Sequence, residues 1–425
     1  MRIARDHYLD QLIARKGNGL IKVVTGIRRC GKSYLLTNLF HEHLRSCGVP
    51  EDHIVEVALD DRRNKSLRDP DEMLAYLDAK VSGSADSSIP YYVVIDEVQL
   101  LDEFVDVLNS LLHVPNVDVY VSGSNSRFLA TDVVTEFRGR GDQVRLHPLS
   151  FSEYCAAEGG DPTRAWSDYL VYGGMPLVLS YETPQEKAAY LQGLFDEVYL
   201  VDIVDRYHLR NAPELGELVD VLASAVGSLT NPTRIANTFA SERGLSVDNK
   251  TVSRYIDYLR DAFLVSEARR YDVRGRAYIN SPSKYYYEDT GLRNARLNFR
   301  QVEEGHLMEN VIYNELVVRG YSVDVGVVNT FGRSAAGKTE RKRLEIDFVV
   351  NRGSSRCYIQ SALNIDSPEK AEQEKRSLKR VDDSFQKVVV VRDEPVPHYD
   401  DDGILIMGIR DFLLDPESLE RFSGV

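Results

Sequence analysis

Hydrophobic residues fall into two kinds of run. Leu20 to Thr25 (LIKVVT), Tyr91 to Ile95 (YYVVI) and Val117 to Ser122 (VDVYVS) are nearly continuous apolar or β-branched stretches, which predict strands covered on both faces in the middle of a parallel sheet. Around them the spacing turns helical, at Tyr8, Leu9, Leu12 and Ile13, at Asp71 to Val81 and at Glu103 to Leu112. This alternation predicts an α/β unit over residues 1–150. Residues 151–212 keep a helical pattern broken at Gly173, Gly174 and Pro176, and predict a helical lid or connector.

Residues 213–300 predict three short helices and a hairpin. In the third helix, Val252, Tyr255, Ile256 and Leu259 fall at i, i+3, i+4 and i+7 and form one buried stripe, opposite Asn249, Lys250, Ser253, Arg254 and Asp257. Phe263 to Glu267 and Ala277 to Asn280 pair around the turn VRGR, which completes a winged-helix pattern. Such a module would place Lys250, Ser253 and Arg254 in a DNA major groove and Arg274 and Arg276 of the wing on phosphates. The same module also serves protein contacts, with Arg254 paired to Asp257 or Asp261 along its helix. Residues 301–425 open on a helix (HLMENVIYNELVVRG) and continue with strands at 322–328, 344–350, 356–361 and 387–391, a second α/β unit.

Length alone calls for several domains, since 425 residues exceed what one core supports. Without an apolar stretch long enough to span a bilayer or an apolar N-terminal signal, the expectation is a cytoplasmic protein with no membrane partner. Cys30, Cys47, Cys155 and Cys357 are too scattered for a zinc site and read as reduced, mostly buried thiols. The net charge of −14 argues against a chain coated in nucleic acid, but basic residues gather at 27–32, 269–276 and 333–343, leaving local faces for a polyanion.

Chemistry concentrates early. Gly26-Ile27-Arg28-Arg29-Cys30-Gly31-Lys32-Ser33 satisfies G-x-x-x-x-G-K-[ST] after a strand and at the start of a helix. Backbone amides of such a loop enclose phosphates, Lys32 reaches the β- and γ-phosphates, and Ser33 ligates magnesium. Gly26, Arg29, Cys30, Gly31, Lys32, Ser33 and Tyr34 form the expected nucleotide-binding set, for ATP with Mg2+. Asp96 and Glu97 end YYVVIDE, where Asp96 would hold the metal and Glu97 polarise the attacking water. Asn125, in Ser124-Asn125-Ser126 after the next strand, is placed to reach the γ-phosphate or that water. Arg140, with Arg138 as the alternative, suits a finger acting on a neighbouring subunit's nucleotide.

In order along the chain, GIRRCGKS, VVIDEVQ, VSGSNSRFL, GRGDQVRLHPLSFSEY, VYGGMP, KYYYEDTGLRN, GHLMENVIYNELVVRGY and EIDFVV with YIQSAL resemble the prokaryotic AAA-type ATP-binding family with a C-terminal domain of unknown function. The resemblance implies an AAA core in homo-oligomers, often hexameric rings, with Arg140 as the finger. It also implies a C-terminal domain similar to the PD-(D/E)XK nuclease fold. Glu309 or Glu315 would supply the helix acid, Asp347 the strand acid, and Gln360 the start of the third element. Ala362 stands where that element carries lysine, so the domain is expected to bind a partner rather than cut it. Glu309 and Asp347 equally suit a buried polar network joining helix to sheet. Two functions follow: an ATP-driven motor on duplex or branched DNA, plausibly a four-way (Holliday) junction, or an ATP-gated regulatory switch acting through protein contacts.

Overall fold

The structure is a computed structural model that describes residues 2–123, 139–209, 212–244, 247–333, 339–394 and 396–422. The chain forms two compact units, one of Met1–Pro148 with Asp261–Phe263, the other of Leu149–Arg260 and Leu264–Val425.

The first unit carries a five-stranded sheet in the order β2-β3-β4-β1-β5. Its strands are β1 Ile21–Thr25, β2 Ile54–Ala58, β3 Tyr91–Asp96, β4 Val117–Ser122 and β5 Gly141–Arg145, and every pairing is parallel. Parallel neighbours need crossover connections, and the helical segments between the strands supply them. The three apolar runs are the three inner strands. The sequence pattern missed β5 because it is a polar edge strand (GDQVR), and β2 because its apolar run is interrupted at the exposed Glu56.

Lys22 is fully buried in β1, which its apolar neighbours made possible and a carboxylate makes affordable. It pairs with Asp118 on β4, and Asp118 also accepts from the Tyr120 hydroxyl and the Gly17 amide, both at 2.9 Å. A buried charge left unpaired costs several kcal/mol, so this group sets how β1 lies beside β4.

In the second unit the helices Phe151–Glu158, Pro162–Tyr172 and Pro184–Gly193 precede Ala212–Ser224, Pro232–Thr238 and Asn249–Asp261. An eight-stranded mixed sheet follows, in the order β12-β13-β11-β10-β9-β8-β6-β7. Its strands are β6 Val265–Asp272, β7 Ala277–Tyr287, β8 Ser322–Arg333, β9 Thr339–Arg352, β10 Ser355–Ala362, β11 Gln386–Val391, β12 His398–Tyr399 and β13 Leu405–Gly408. The hairpin expected at 263–280 exists and is longer. It is no free wing, because β6 pairs in parallel with β8 from Arg270↔Val325 to Asp272↔Val327. The buried Tyr285, Tyr286 and Tyr287 give the hairpin an apolar end that belongs inside the sheet, so residue 300 marks no break there. The four cysteines are free, and Cys47 is exposed rather than buried.

Asp289 holds the helical segment to the rest of this unit. Its carboxylate caps the helix Thr290–Arg296 through the Leu292 amide at 2.9 Å and accepts from the Gly174 amide at 2.6 Å. A Cβ on Gly173, at φ +69, would lie 2.2 Å from that carboxylate, so only glycine admits the contact. Within the capped helix, Asn294 donates to the carbonyls of Leu170 and Val171, and Arg293 to that of Ala223.

Burial pushes the Asp289 carboxyl up to about 6, against the lowering effect of the amides of Leu292, Gly174 and Gly291. Because its folded pKa exceeds the unfolded value of about 3.9, the folded chain binds the extra proton, and this contribution to stability fades as pH rises through that window. The stability advantage of the wild type over Asp289→Asn, read by denaturant titration, is therefore expected to shrink between about pH 4 and pH 6, by up to about 3 kcal/mol. A gap that widens over that range contradicts the assignment.

Candidate functional site

β1 delivers the chain to a turn that only glycine can make. Gly26 has φ +144, and a Cβ there would meet the Leu146 carbonyl oxygen at 2.0 Å. The Cys30 thiol also contacts that oxygen, at 3.6 Å. Arg29 and Gly31 take positive φ of 65 and 102, and the helix starts at Lys32, continuing through Leu35–Phe40 and His41–Ser46. The buried Lys32 ammonium donates to the carbonyls of Gly26 and Ile27, each at 3.0 Å, and so is held inside the loop. The Ser33 side chain is exposed, and the Tyr34 hydroxyl accepts from the Ile3 amide at 3.3 Å.

Sequence reasoning missed Arg5. Buried in front of the loop, it donates to the Cys30 carbonyl at 3.2 Å and the His147 carbonyl at 2.6 Å, bracing the loop against the segment after β5. No local motif marks it, since its partners lie 25 and 142 residues away.

Asp96 ends β3 and accepts a hydrogen bond from the Ser122 hydroxyl at the end of β4; the same Ser122 oxygen accepts from the Glu97 amide at 3.2 Å. Glu97 sits at φ 53, and its carboxylate accepts from the Gln99 side chain. Val24 pairs with Ser122 and Ile95 with Val121, so the loop, both acids and Ser122 share the carboxyl edge of the sheet, where open α/β sheets bind ligands. Ser122 was legible only as the last residue of a strand. The Ser33 hydroxyl and Asp96 carboxylate are hard oxygen donors of the kind Mg2+ takes while keeping most of its water, and these two residues would hold it.

Arg140 lies elsewhere. Its carbonyl accepts from the Ile21 amide at 2.8 Å, at the beginning of β1. A five-residue strand, roughly 16 Å long, separates it from Gly26, so its exposed side chain does not serve this chain's own loop. Ser124, Asn125, Ser126 and Arg138 fall outside the described residues.

In the second unit, Lys250, Ser253 and Arg254 are exposed on Asn249–Asp261, opposite the buried stripe expected of that helix. Asp257 pairs with Arg260 at 3.3 Å, and the Arg254 guanidinium lies 6.0 Å from the Tyr255 ring centre. Arg274 is held by Asp382 at 2.9 Å, while Arg276 is exposed at φ 51. Both line a cavity of about 590 Å³ together with Tyr271, Arg356 and Phe385.

Glu309 and Asp347 come together across a lysine that sequence reasoning did not single out. Lys284 of β7 lies 2.8 Å from Glu309, 2.8 Å from Glu345 and 3.3 Å from Asp347. Gln360 donates to Asp347 at 2.7 Å. Glu315 is not part of this group and pairs with Arg319 at 2.7 Å.

Comparison with known proteins follows this geometry. A family model described as an AAA domain matches residues 18–155, and one described as a domain of unknown function (DUF8612) matches residues 163–303. An uncharacterized protein of Haemophilus influenzae is 32% identical over 420 residues, covering 97% of this chain and 98% of that one. The chain belongs to the same family as this Haemophilus protein, and its residues 18–155 form an AAA domain. An uncharacterized protein of Methanocaldococcus jannaschii is 25% identical over 393 residues, covering 88% of this chain and 82% of its own length. Among solved structures, the Walker-type ATPase of Pyrococcus abyssi is similar at 14% identity and TM-score 0.49, covering 70% of this chain and 96% of that one. An AAA domain implies a P-loop nucleotide site, and the matched residues 18–155 include the loop Gly26 to Ser33 and the strand end at Asp96. Among the described residues, no helix is long and apolar enough to cross a membrane.

Removing the Lys32 ammonium takes away a charge-assisted hydrogen bond worth roughly 1.5–3 kcal/mol, so Lys32→Ala is expected to weaken Mg-ATP binding by about 10- to 100-fold. Gly26→Ala should weaken it as well, since the loop must leave Leu146 to admit the methyl group. Titration calorimetry reads both, and unchanged affinity in Lys32→Ala would remove this loop from nucleotide binding.

Proposed function

We propose that the protein is an ATP-hydrolysing AAA motor that binds and remodels DNA. The observation that carries the hydrolytic half is the pair Asp96 and Glu97, bound to one Ser122 hydroxyl on the sheet edge that also bears the P-loop. Magnesium, when bound, supplies charge neutralisation at the phosphates. Asp96 and Ser33 would hold it, Glu97 would orient water and accept its proton as the water attacks the γ-phosphorus and the bond to the β–γ bridging oxygen breaks to release ADP, and Asn125 would fix the γ-phosphate or that water. Arg140, remote from its own loop, completes a neighbour's site in a homo-oligomeric ring, plausibly a hexamer.

The DNA half rests on the exposed face Lys250, Ser253 and Arg254, read as the recognition helix of a winged-helix module, with Arg274 and Arg276 at the tip of the hairpin. The helix Glu304–Val318 followed by the antiparallel strands β8, β9 and β10 supports the reading of a nuclease-like remnant with Glu309, Asp347 and Gln360. A motor with these two grips suits branched duplexes such as a four-way junction. The net charge of −14 favours a second reading, an ATP-gated switch that works through protein contacts without DNA.

Glu97→Gln is expected to keep ATP affinity and lower turnover by about 10²- to 10⁴-fold, the range for loss of a general base. Wild-type turnover should rise on adding DNA, more with forked or four-way DNA than with linear duplex, and the rise should fade with salt. Turnover indifferent to every DNA, with no DNA retained at low salt, selects the switch.

A further inference from the structure

We propose that Lys284 takes the place of a divalent cation among Glu309, Glu345 and Asp347, so that this acid cluster is closed to metal and serves as a buried joint. The inference rests on the nuclease-like reading above, because that fold implies a metal at its acids. The residues present do not fit one.

Three elements meet at the lysine. Lys284 comes from β7, Glu309 from the helix Glu304–Val318, and Glu345 and Asp347 from β9. An ammonium carries three N–H donors, and here three carboxylates lie 2.8, 2.8 and 3.3 Å from the nitrogen. Lys284 is 2% exposed, so these oxygens are its surroundings in place of water. A divalent ion would need the same oxygens at roughly 2.0–2.6 Å, around a point the ammonium already fills. Ion and ammonium cannot share it, since both are cations and each needs the space.

Two of the three acids, Glu309 and Asp347, accept further hydrogen bonds. The Tyr286 hydroxyl donates to Glu309 at 2.6 Å, while Gln360 and the Ser361 amide donate to Asp347 at 2.7 and 3.0 Å. The chain also occupies the approach to Glu309. A Cβ on Gly227, at φ +70, would lie 3.2 Å from the Glu309 carboxylate, so the backbone of residue 227 rests against it. That segment is fastened to β7 by Thr230 and Ser283, which exchange backbone hydrogen bonds of 2.9 and 3.0 Å, one residue before Lys284. A scissile phosphate has no room where residue 227 lies.

Charge agrees with the geometry. Burial alone would lower the Lys284 ammonium, and the carboxylates of Asp347, Glu309 and Glu345 overcome it and hold the group above its ordinary range. Burial and the neighbouring Asp347 charge push the Glu309 carboxyl up, and the Lys284 ammonium works against them. Lys284 occupies the cation's place, and the joint ties the β6–β7 hairpin to the helix and to β9.

The test uses the full chain carrying Lys32→Ala and Asp96→Asn, which removes the metal site of the P-loop, and MnCl2 alone as the probe. Free Mn2+ is read by electron paramagnetic resonance and folding by thermal melting. This parent should take up no Mn2+ that Asp347→Asn abolishes. Adding Lys284→Ala should create uptake of a single Mn2+ per chain and a melting temperature that rises with Mn2+, and a further Asp347→Asn should erase both. Lys284→Ala with Glu309→Gln and Asp347→Asn should fold without metal and bind none. A parent that binds Mn2+ through Asp347 overturns the proposal, as does a folded Lys284→Ala chain indifferent to Mn2+. If Lys284→Ala does not fold even with Mn2+, the parent titration alone decides between the two. DNA-stimulated ATP turnover of the wild type is a separate reading, so a metal-binding parent overturns the closed cluster without touching the proposed motor.

Discussion

A buried ammonium must be surrounded by oxygen, and three places in this chain are organised by that demand. Lys22 answers it with Asp118 and thereby fixes β1 beside β4. Lys32 answers it with the carbonyls of Gly26 and Ile27. Lys284 answers it with three carboxylates drawn from a helix and a strand. The partners differ in kind, and the difference sorts their roles. Neutral carbonyls hold a cation by dipoles alone, so an incoming polyphosphate can take Lys32 from them. Largely buried carboxylates such as Asp118, Glu309 and Asp347 hold more firmly, because separating the charges there leaves each poorly solvated. One lysine is set to exchange partners, and the other two are set to stay.

The sequence disclosed these sites unequally, and the reason is range. Gly26 to Ser33 could be read at once because its chemistry is local: the glycines, the lysine and the serine lie within eight positions, and the strand before them is apolar on both faces. Asp96 and Glu97 were legible because an apolar strand delivers them. Arg5 and Ser122 were not, since their meaning depends on partners brought close only by sheet order. Lys284 sat in plain view between Ser283 and three tyrosines, but a lysine in a strand reads as a solvated face until its neighbours in space are known. The same limit applies to β5, a polar edge strand, and to the hairpin β6–β7, whose turn chemistry was clear while its attachment to β8 was invisible.

The second unit shows how local prediction and global assembly part company. Three helices and a hairpin in that order match a winged-helix pattern; the third helix lies where periodicity put it, and the hairpin is longer than expected. The parallel pairing of β6 with β8 then commits the hairpin to a sheet built mostly from later residues. A hairpin with both faces in solvent could move as a wing, whereas one sharing backbone hydrogen bonds with β8 moves only with the sheet.

On the carboxyl edge of the first sheet, the conformation of Glu97 is itself informative. A non-glycine residue at φ 53 costs roughly 1–2 kcal/mol, and it persists only where its surroundings impose it. Ser122 supplies that constraint, donating to the Asp96 carboxylate and accepting from the Glu97 amide, so a single hydroxyl orients both acids. An extended residue at 97 would carry its side chain to the face of the sheet opposite Asp96. The left-handed turn instead ends the strand abruptly and frees the Glu97 side chain from the pleat of β3, while Asp96 stays in register with Ala58. The strain is local, it falls between two adjacent acids, and its cost is offset by a hydrogen bond from a neighbouring strand. That combination belongs to a position where orientation matters more than stability.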